Sequence, residues 1–292
     1  MSSLYGFEVK SVLPLRRLNS ATGKRGELAV EATAEPLIVP AGEPAGSLVN
    51  KDGQCWFASY ELADDGGCLL WMPPTGSFLL DPGGGRVVVE AASDDEELLE
   101  HRIASSAICT LLSLRGDLVL HAAAVEVDGH AIVFCGPSLR GKSTLARALG
   151  EAGCRLLGED GIAIELSEGG PIAHPGARGV RMRSPNGSGR QRTVLLEDPG
   201  AGEPGPSPLA AVVLLGERGA EFEVEPLEPA RALTLLTPNL IHSGGRASIA
   251  AAFQRLATLL GTVPALRISL PDDLRALPEM PQRFLHATRI PG

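Results

Sequence analysis

Apolar residues fall in short, turn-bounded runs over the first ninety positions, and then the period changes. The runs at 28–32, 55–60 and 86–90 are separated by Gly, Pro and Asp, a pattern that predicts short strands. Asp81-Pro82-Gly83-Gly84-Gly85 is one of these turn clusters. From position 93 the spacing becomes helical. Ser93-Asp94-Asp95-Glu96-Glu97 offers an N-cap and first-turn acids, and Leu98, Leu99, Ile103, Ala107, Leu111 and Leu112 follow at helical intervals. These patterns predict a β-rich N-terminal domain over 1–92, suited to substrate recognition, and a connecting helix over 93–116.

Beyond 117, strand and helix patterns alternate. A strand is expected at 117–125, a hairpin turn at Asp128-Gly129, a strand at 131–135 and a helix from 144. Strands around 156–157 and 162–165 flank a turn at Gly158-Glu159-Asp160-Gly161. Residues 184–208, rich in Gly, Pro, Ser and Arg, read as a loop or hairpin. A buried strand at 210–215, helices at 229–236 and 247–260 and a late strand at 265–270 complete an α/β domain over 117–292. There is no internal repeat.

The chemistry concentrates at Gly136-Pro137-Ser138-Leu139-Arg140-Gly141-Lys142-Ser143, which satisfies G-x-x-x-x-G-K-[ST] at every fixed position. Glycines let the backbone curl and aim N–H groups at a polyphosphate. The lysine reaches the β/γ-phosphates and the Ser143 hydroxyl ligates Mg²⁺. Thr144 opens the following helix, whose N-terminus adds positive potential. A strand before and a helix after supply the context the motif requires. A nucleotide with Mg²⁺ is therefore expected.

Composition narrows the class. The 292-residue chain is 44% hydrophobic with a formal net charge of −9 and 4% aromatic residues. It lacks the basic balance and the stacking platforms of a nucleic-acid binder. Cys55, Cys68, Cys109, Cys135 and Cys154 are dispersed without a C-x-x-C pair, which argues against a disulfide framework or zinc site. No signal-peptide pattern opens the chain, and no apolar run approaches the ~18 residues of a membrane span. The expectation is a soluble cytoplasmic protein without nucleic-acid or membrane partners, homo-oligomerisation being left open.

A P-loop alone specifies nucleotide binding. Neither Asp-x-x-Gly nor Asn-Lys-x-Asp follows the loop, as a GTPase would require. Ser243-Gly244-Gly245 is not followed by the apolar-Asp-Glu run of a transporter ATPase and reads as a turn. What does stand around the loop is His121, 21 residues before Lys142, and the pair Glu159-Asp160, 17 and 18 residues after it.

The strings Leu120-His121-Ala122-Ala123-Ala124-Val125-Glu126, Asp128-Gly129, the loop itself, and Gly153-Cys154-Arg155-Leu156-Leu157-Gly158-Glu159-Asp160 together resemble the HPr kinase/phosphorylase family. The likeness extends to its smaller relatives that phosphorylate ribosomally made peptides such as lasso peptides. The resemblance implies a phosphoenolpyruvate-carboxykinase-like P-loop core. It also implies phosphoryl transfer from ATP to a hydroxyl, usually serine, of a peptide or small protein. In that frame Asp160 is the general base, with Glu159 either a rival base or a magnesium ligand, and His121 contacts phosphate or tunes the neighbouring acid.

The chain departs from the family pattern at Leu139, where relatives often carry Gly, and at Glu159, which replaces an Asp. It departs again in the zone from His174 to Arg181, which lacks the magnesium-binding Glu of the bifunctional enzymes. The last departure bears on phosphorylase activity rather than on the kinase. A small-molecule kinase and a non-catalytic nucleotide-binding regulator are the alternatives on the same core. Arg178, Arg181, Arg183, Arg190 and Arg192 form the densest basic stretch, read either as a solvated loop or as clamps for phosphate or an acidic peptide. His130, His174, His242 and both tryptophans are read as structural.

Overall fold

Alternating burial folds the first ninety residues into one sheet. The computed structural model describes residues 2–19, 24–49, 53–62, 66–137, 140–183, 191–194, 204–219, 221–272 and 279–288. Its first sheet contains β1 (Ser3–Leu4), β2 (Phe7–Ser11), β3 (Glu27–Ala32), β4 (Gly46–Val49), β5 (Cys55–Glu61), β6 (Cys68–Met72), β7 (Gly76–Asp81) and β8 (Arg86–Ala91). The order is β1-β2-β3-β8-β7-β6-β5-β4, leaving β4 at one edge. Val9, Leu28, Val30, Val87 and Val89 alternate inward and share a core with Leu99, Ile103, Ala107, Ile108 and Leu111. These belong to the expected helix, which runs as α1 (Glu96–Arg102), a π-helical turn (Ile103–Ala107) and α2 (Ile108–Arg115). Asp95 caps it by accepting from Leu98 N at 3.0 Å, and Gly116, at φ 113°, ends it.

The second sheet is a mixed one. It contains β9 (Leu118–Leu120), β10 (Ala122–Val127), β11 (His130–Cys135), β12 (Arg155–Gly158), β13 (Ile162–Ser167), β14 (Gly170–His174) and β17 (Ser207–Leu215). β18 (Glu223–Leu227) and β19 (Ala265–Ser269) extend it, β19 running parallel to β17. β15 (Val180–Arg183) and β16 (Gln191–Val194) form a separate pair. Successive residues of β10 and β11 are buried on both faces. Ala122, Ala124, Val133 and Cys135 face Leu256 and Leu259 of α5 (Arg246–Leu260) and Ala232 of α4 (Pro229–Leu236). Ala123, Val125, Ile132 and Phe134 face Leu145 and Leu149 of α3 (Lys142–Glu151) and Phe284 of α6 (Met280–Thr288). Helices thus cover both faces of this sheet, which is why its central strands read as continuous apolar runs.

Two features differ from the sequence expectation. The strand expected over 117–125 is interrupted at His121, whose N–H leaves the ladder to donate to Asn239 O at 2.7 Å. The helix α6 was not foreseen. Residues 184–190 and 195–203 of the expected loop lie outside the described residues. The hairpin turn at Asp128-Gly129 is present, with φ of 51° and 80°.

The two sheets are tied together near the turn after β12. Arg25 pairs with Asp117 at 2.5 Å and Glu165 at 3.2 Å. Tyr5 is fully buried, its hydroxyl lying 3.2 Å from Gly161 O and 3.3 Å from Ala104 O. Cys109 Sγ donates to that hydroxyl at 3.1 Å. The turn between β1 and β2 therefore braces the turn that carries Asp160.

Candidate functional site

The loop begins where β11 ends. Gly136 has φ 151°, and a Cβ there would stand 3.1 Å from Leu215 O, so only glycine fits. Its N–H donates to Asn239 Oδ1 at 3.2 Å. Gly141 has φ 103° and starts α3 without a side-chain cap, leaving the helix's first N–H groups free for an anion. The Arg218 guanidinium lies 2.9 Å from where a Gly141 Cβ would be. Pro137 continues the loop, Ser138 and Leu139 lie outside the described residues, and Arg140 pairs with Glu217 at 3.0 Å.

Lys142 is buried, and its Nζ donates to Gly136 O at 2.7 Å. Burial pushes its pKa below the ordinary lysine value, while Asp160, Cys135 and Glu159 oppose that shift by favouring the charge. An ammonium held inside the loop by a main-chain oxygen is poised to exchange that partner for a phosphate.

Asp160 sits in the turn between β12 and β13 with φ 63°, a strained conformation for a residue with a side chain. His121 Nδ1 lies 3.1 Å from Asp160 O. A carbonyl only accepts, so Nδ1 carries the proton and Nε2 keeps its lone pair. Burial and the nearby Lys142 charge hold the His121 pKa below its ordinary value. His101 Nε2 lies 3.6 Å from Asp160 Oδ2, and His101 Nδ1 is 3.3 Å from Ser105 Oγ. Asp160 is thus held at its main chain by one histidine and faced at its carboxylate by another.

Lys142, Ser143, Thr144, His121 and Asp160 line a single cleft of about 1070 Å³. Glu159 does not; only 1% of it is exposed. Its closeness to Lys142 shows in the support it gives the lysine's charge. The sequence motif therefore converges in space, with Asp160 at the surface of the cleft and Glu159 beneath it. Arg178 is exposed and not part of the cleft wall. The side chains of Arg181, Arg183 and Arg192, and residue Arg190, lie outside the described residues.

Several residues of the wall were not singled out by the sequence. His101 and Arg102 come from α1, Arg218 follows β17, and Trp56 and His242 stand there too although both read as structural. Asn239 was missed altogether. It accepts from Gly136 N through its side chain and from His121 N through its main chain. No local signal marks it, because both partners are distant in the chain.

The cleft fits a nucleotide with its metal. Among the described residues no group of three or more His, Cys, Asp or Glu is arranged to hold a metal unaided. Mg²⁺ at a phosphate site uses one or two carboxylates together with substrate oxygens, and Ser143 with Asp160, the acid of the pair that lines the cleft, fits that requirement.

No protein-family model matches this chain, and no curated protein does. Among solved structures it is similar to the Hpr(Ser) kinase/phosphatase from Coxiella burnetii. The identity is 16% over 57% of this chain and 93% of that one, with a TM-score of 0.34.

Proposed function

We propose that the protein is an ATP-dependent kinase on an HPr-kinase-like, phosphoenolpyruvate-carboxykinase-like core, which transfers the γ-phosphoryl to a serine hydroxyl of a peptide or small protein. The observation that carries this reading is the meeting of Lys142, Ser143 and Asp160 in one cleft. A pure nucleotide-binding module needs no general base, and Asp160 stands in the cleft beside the phosphate loop as a carboxylate able to take a hydroxyl proton.

The loop N–H groups, the α3 N-terminus and Lys142 bind and orient the β- and γ-phosphates. Mg²⁺, which Ser143 and a carboxylate of the 159–160 pair would hold, would supply charge neutralisation on the phosphates. The Asp160 carboxylate takes the acceptor's hydroxyl proton as the new oxygen–phosphorus bond forms and the bond to the β,γ-bridging oxygen breaks, releasing ADP. His121 fixes the main chain under that carboxylate. Arg218, beside Gly141, stands where it can meet the charge spreading over the transferring group.

A role in tailoring a ribosomally made peptide follows from the sequence resemblance and belongs to this proposal. The test is transfer of label from γ-labelled ATP to serine-containing peptides by the wild-type protein and by Asp160→Asn. Labelled product from the wild type and its loss in the variant support the kinase. Nucleotide bound without transfer to any hydroxyl favours the regulatory alternative.

A further inference from the structure

Strand β4 closes one edge of the first sheet and, among the described residues, pairs only with β5. Gly46 packs against Gly244, a Cβ there lying 3.2 Å from the Gly244 Cα. The three residues that follow, Ser47, Leu48 and Val49, are exposed. Edge strands carry unpaired N–H and C=O groups, which natural proteins usually blunt with charge, proline or a cover. The sequence Gly-Ser-Leu-Val contains no charge and no proline, and β4 has no strand partner beyond β5 among the described residues.

The edge is also apolar. Leu48 is 66% exposed, Val49 64% and Trp56 58%. Leu48 stands opposite Phe57 on β5, and the register shifts between Leu48 and Val49, next to Trp56. A shift of this kind re-aims a side chain. Ser47, Leu48, Trp56 and Phe57 line the same cleft as Lys142 and Asp160. At about 1070 Å³ that cleft lies just above the range for small-molecule sites, roughly 300–1,000 Å³. It has room for an acceptor beside a nucleotide.

We infer that the free edge of β4 is the docking site for an extended polypeptide segment, which adds to the sheet as a strand and delivers its serine to Asp160. The inference rests on the kinase reading above and deepens it. Main-chain pairing with Ser47–Val49 supplies affinity that a small hydroxylated metabolite has no means of using. Leu48 and Trp56 select apolar side chains at alternate positions of the segment. The occupant is a flexible chain rather than a folded domain surface, because only an extended backbone satisfies a strand edge running along the cleft wall.

The test uses the full-length protein, MgATP and a degenerate pool of twelve-residue peptides with one central serine, with free serine as a parallel acceptor. The expected result is transfer to the pool and not to free serine. Leu48→Asp and Trp56→Ala, both at exposed positions, should each raise KM for the pool about tenfold or more, with kcat and MgATP affinity retained. Slowed amide exchange across Ser47–Val49 in the presence of the pool is the matching physical signature. An unchanged KM in both variants, or transfer to free serine alone, would overturn the docking inference while phosphoryl transfer itself stands. MgATP binding with no acceptor used, or no MgATP binding at all, would overturn the kinase reading and the docking inference with it, so the two failures are distinguishable.

Discussion

His121 Nδ1 donates to the main-chain oxygen of Asp160 across 3.1 Å, so the strand break before the phosphate loop holds the turn that follows it. The break exists because His121 N bonds to Asn239 O instead of to a strand. Position 121 thus leaves the sheet ladder and turns its ring to the strained turn at Asp160.

Replacing His121 with Ala should leave Asp160 without that restraint. A single neutral hydrogen bond contributes about 1 kcal/mol, so kcat should fall by roughly fivefold while MgATP affinity changes little. Steady-state kinetics with the acceptor peptide measure this. A change confined to the KM for ATP would assign His121 to nucleotide binding instead.

Asp160→Asn keeps size and removes charge. A positioned general base contributes roughly 10²–10⁴-fold, so single-turnover transfer should drop by about that factor with ATP still bound. Glu159, with 1% exposure, should behave differently. Glu159→Gln should cost less in rate, or chiefly shift the Mg²⁺ requirement. A loss in Glu159→Gln alone would reverse the two assignments.

Three imidazoles, those of His121, His174 and His242, are held below their ordinary pKa, with burial the largest cause in each. In this range the unfolded chain takes up protons that the native one refuses. The stability these groups contribute is therefore fully present above about pH 6.5 and is lost as pH falls below it. Glu100, raised by burial, acts in the opposite sense: its contribution is full below its unfolded value and lost as pH rises. With three groups against one, the thermal midpoint should decline from about pH 8 to about pH 5.5. His174→Gln should flatten that slope.

Phe284 is fully buried against Phe134, with ring centroids 5.7 Å apart in an edge-to-face arrangement. Phe284→Ala removes the contact between α6 and the sheet beneath α3. It should cost about 3–5 kcal/mol, read as a lower denaturant midpoint at unchanged slope.

The sequence made some of this legible and concealed the rest for identifiable reasons. Gly136 and Gly141 announce the loop because the left-handed backbone they adopt is closed to other residues. Asp95 and Gly116 mark the ends of the connecting helix through local chemistry. The π-helical turn within that helix left no trace in its apolar spacing. Asn239, Arg218 and His242 were invisible as site residues because the first two reach the loop, and the third the cleft wall, only once distant parts of the chain have packed. Trp56 read as structural because aromatic residues in strands usually face a core; its place on an edge pair depends on the order of strands, which alternation alone does not encode. His121 was singled out as a position, and it lines the cleft, yet its break from the strand depends on Asn239.

The central claim is that residues 136–143 hold MgATP with Lys142 on its phosphates, and calorimetric titration measures it most directly. Titrating MgATP into the wild-type protein should give saturable binding below millimolar nucleotide. Lys142→Ala should weaken that binding, because the one ammonium buried inside the loop is gone. No heat of binding from the wild type at millimolar MgATP, or equal affinity in the two proteins, would contradict the account.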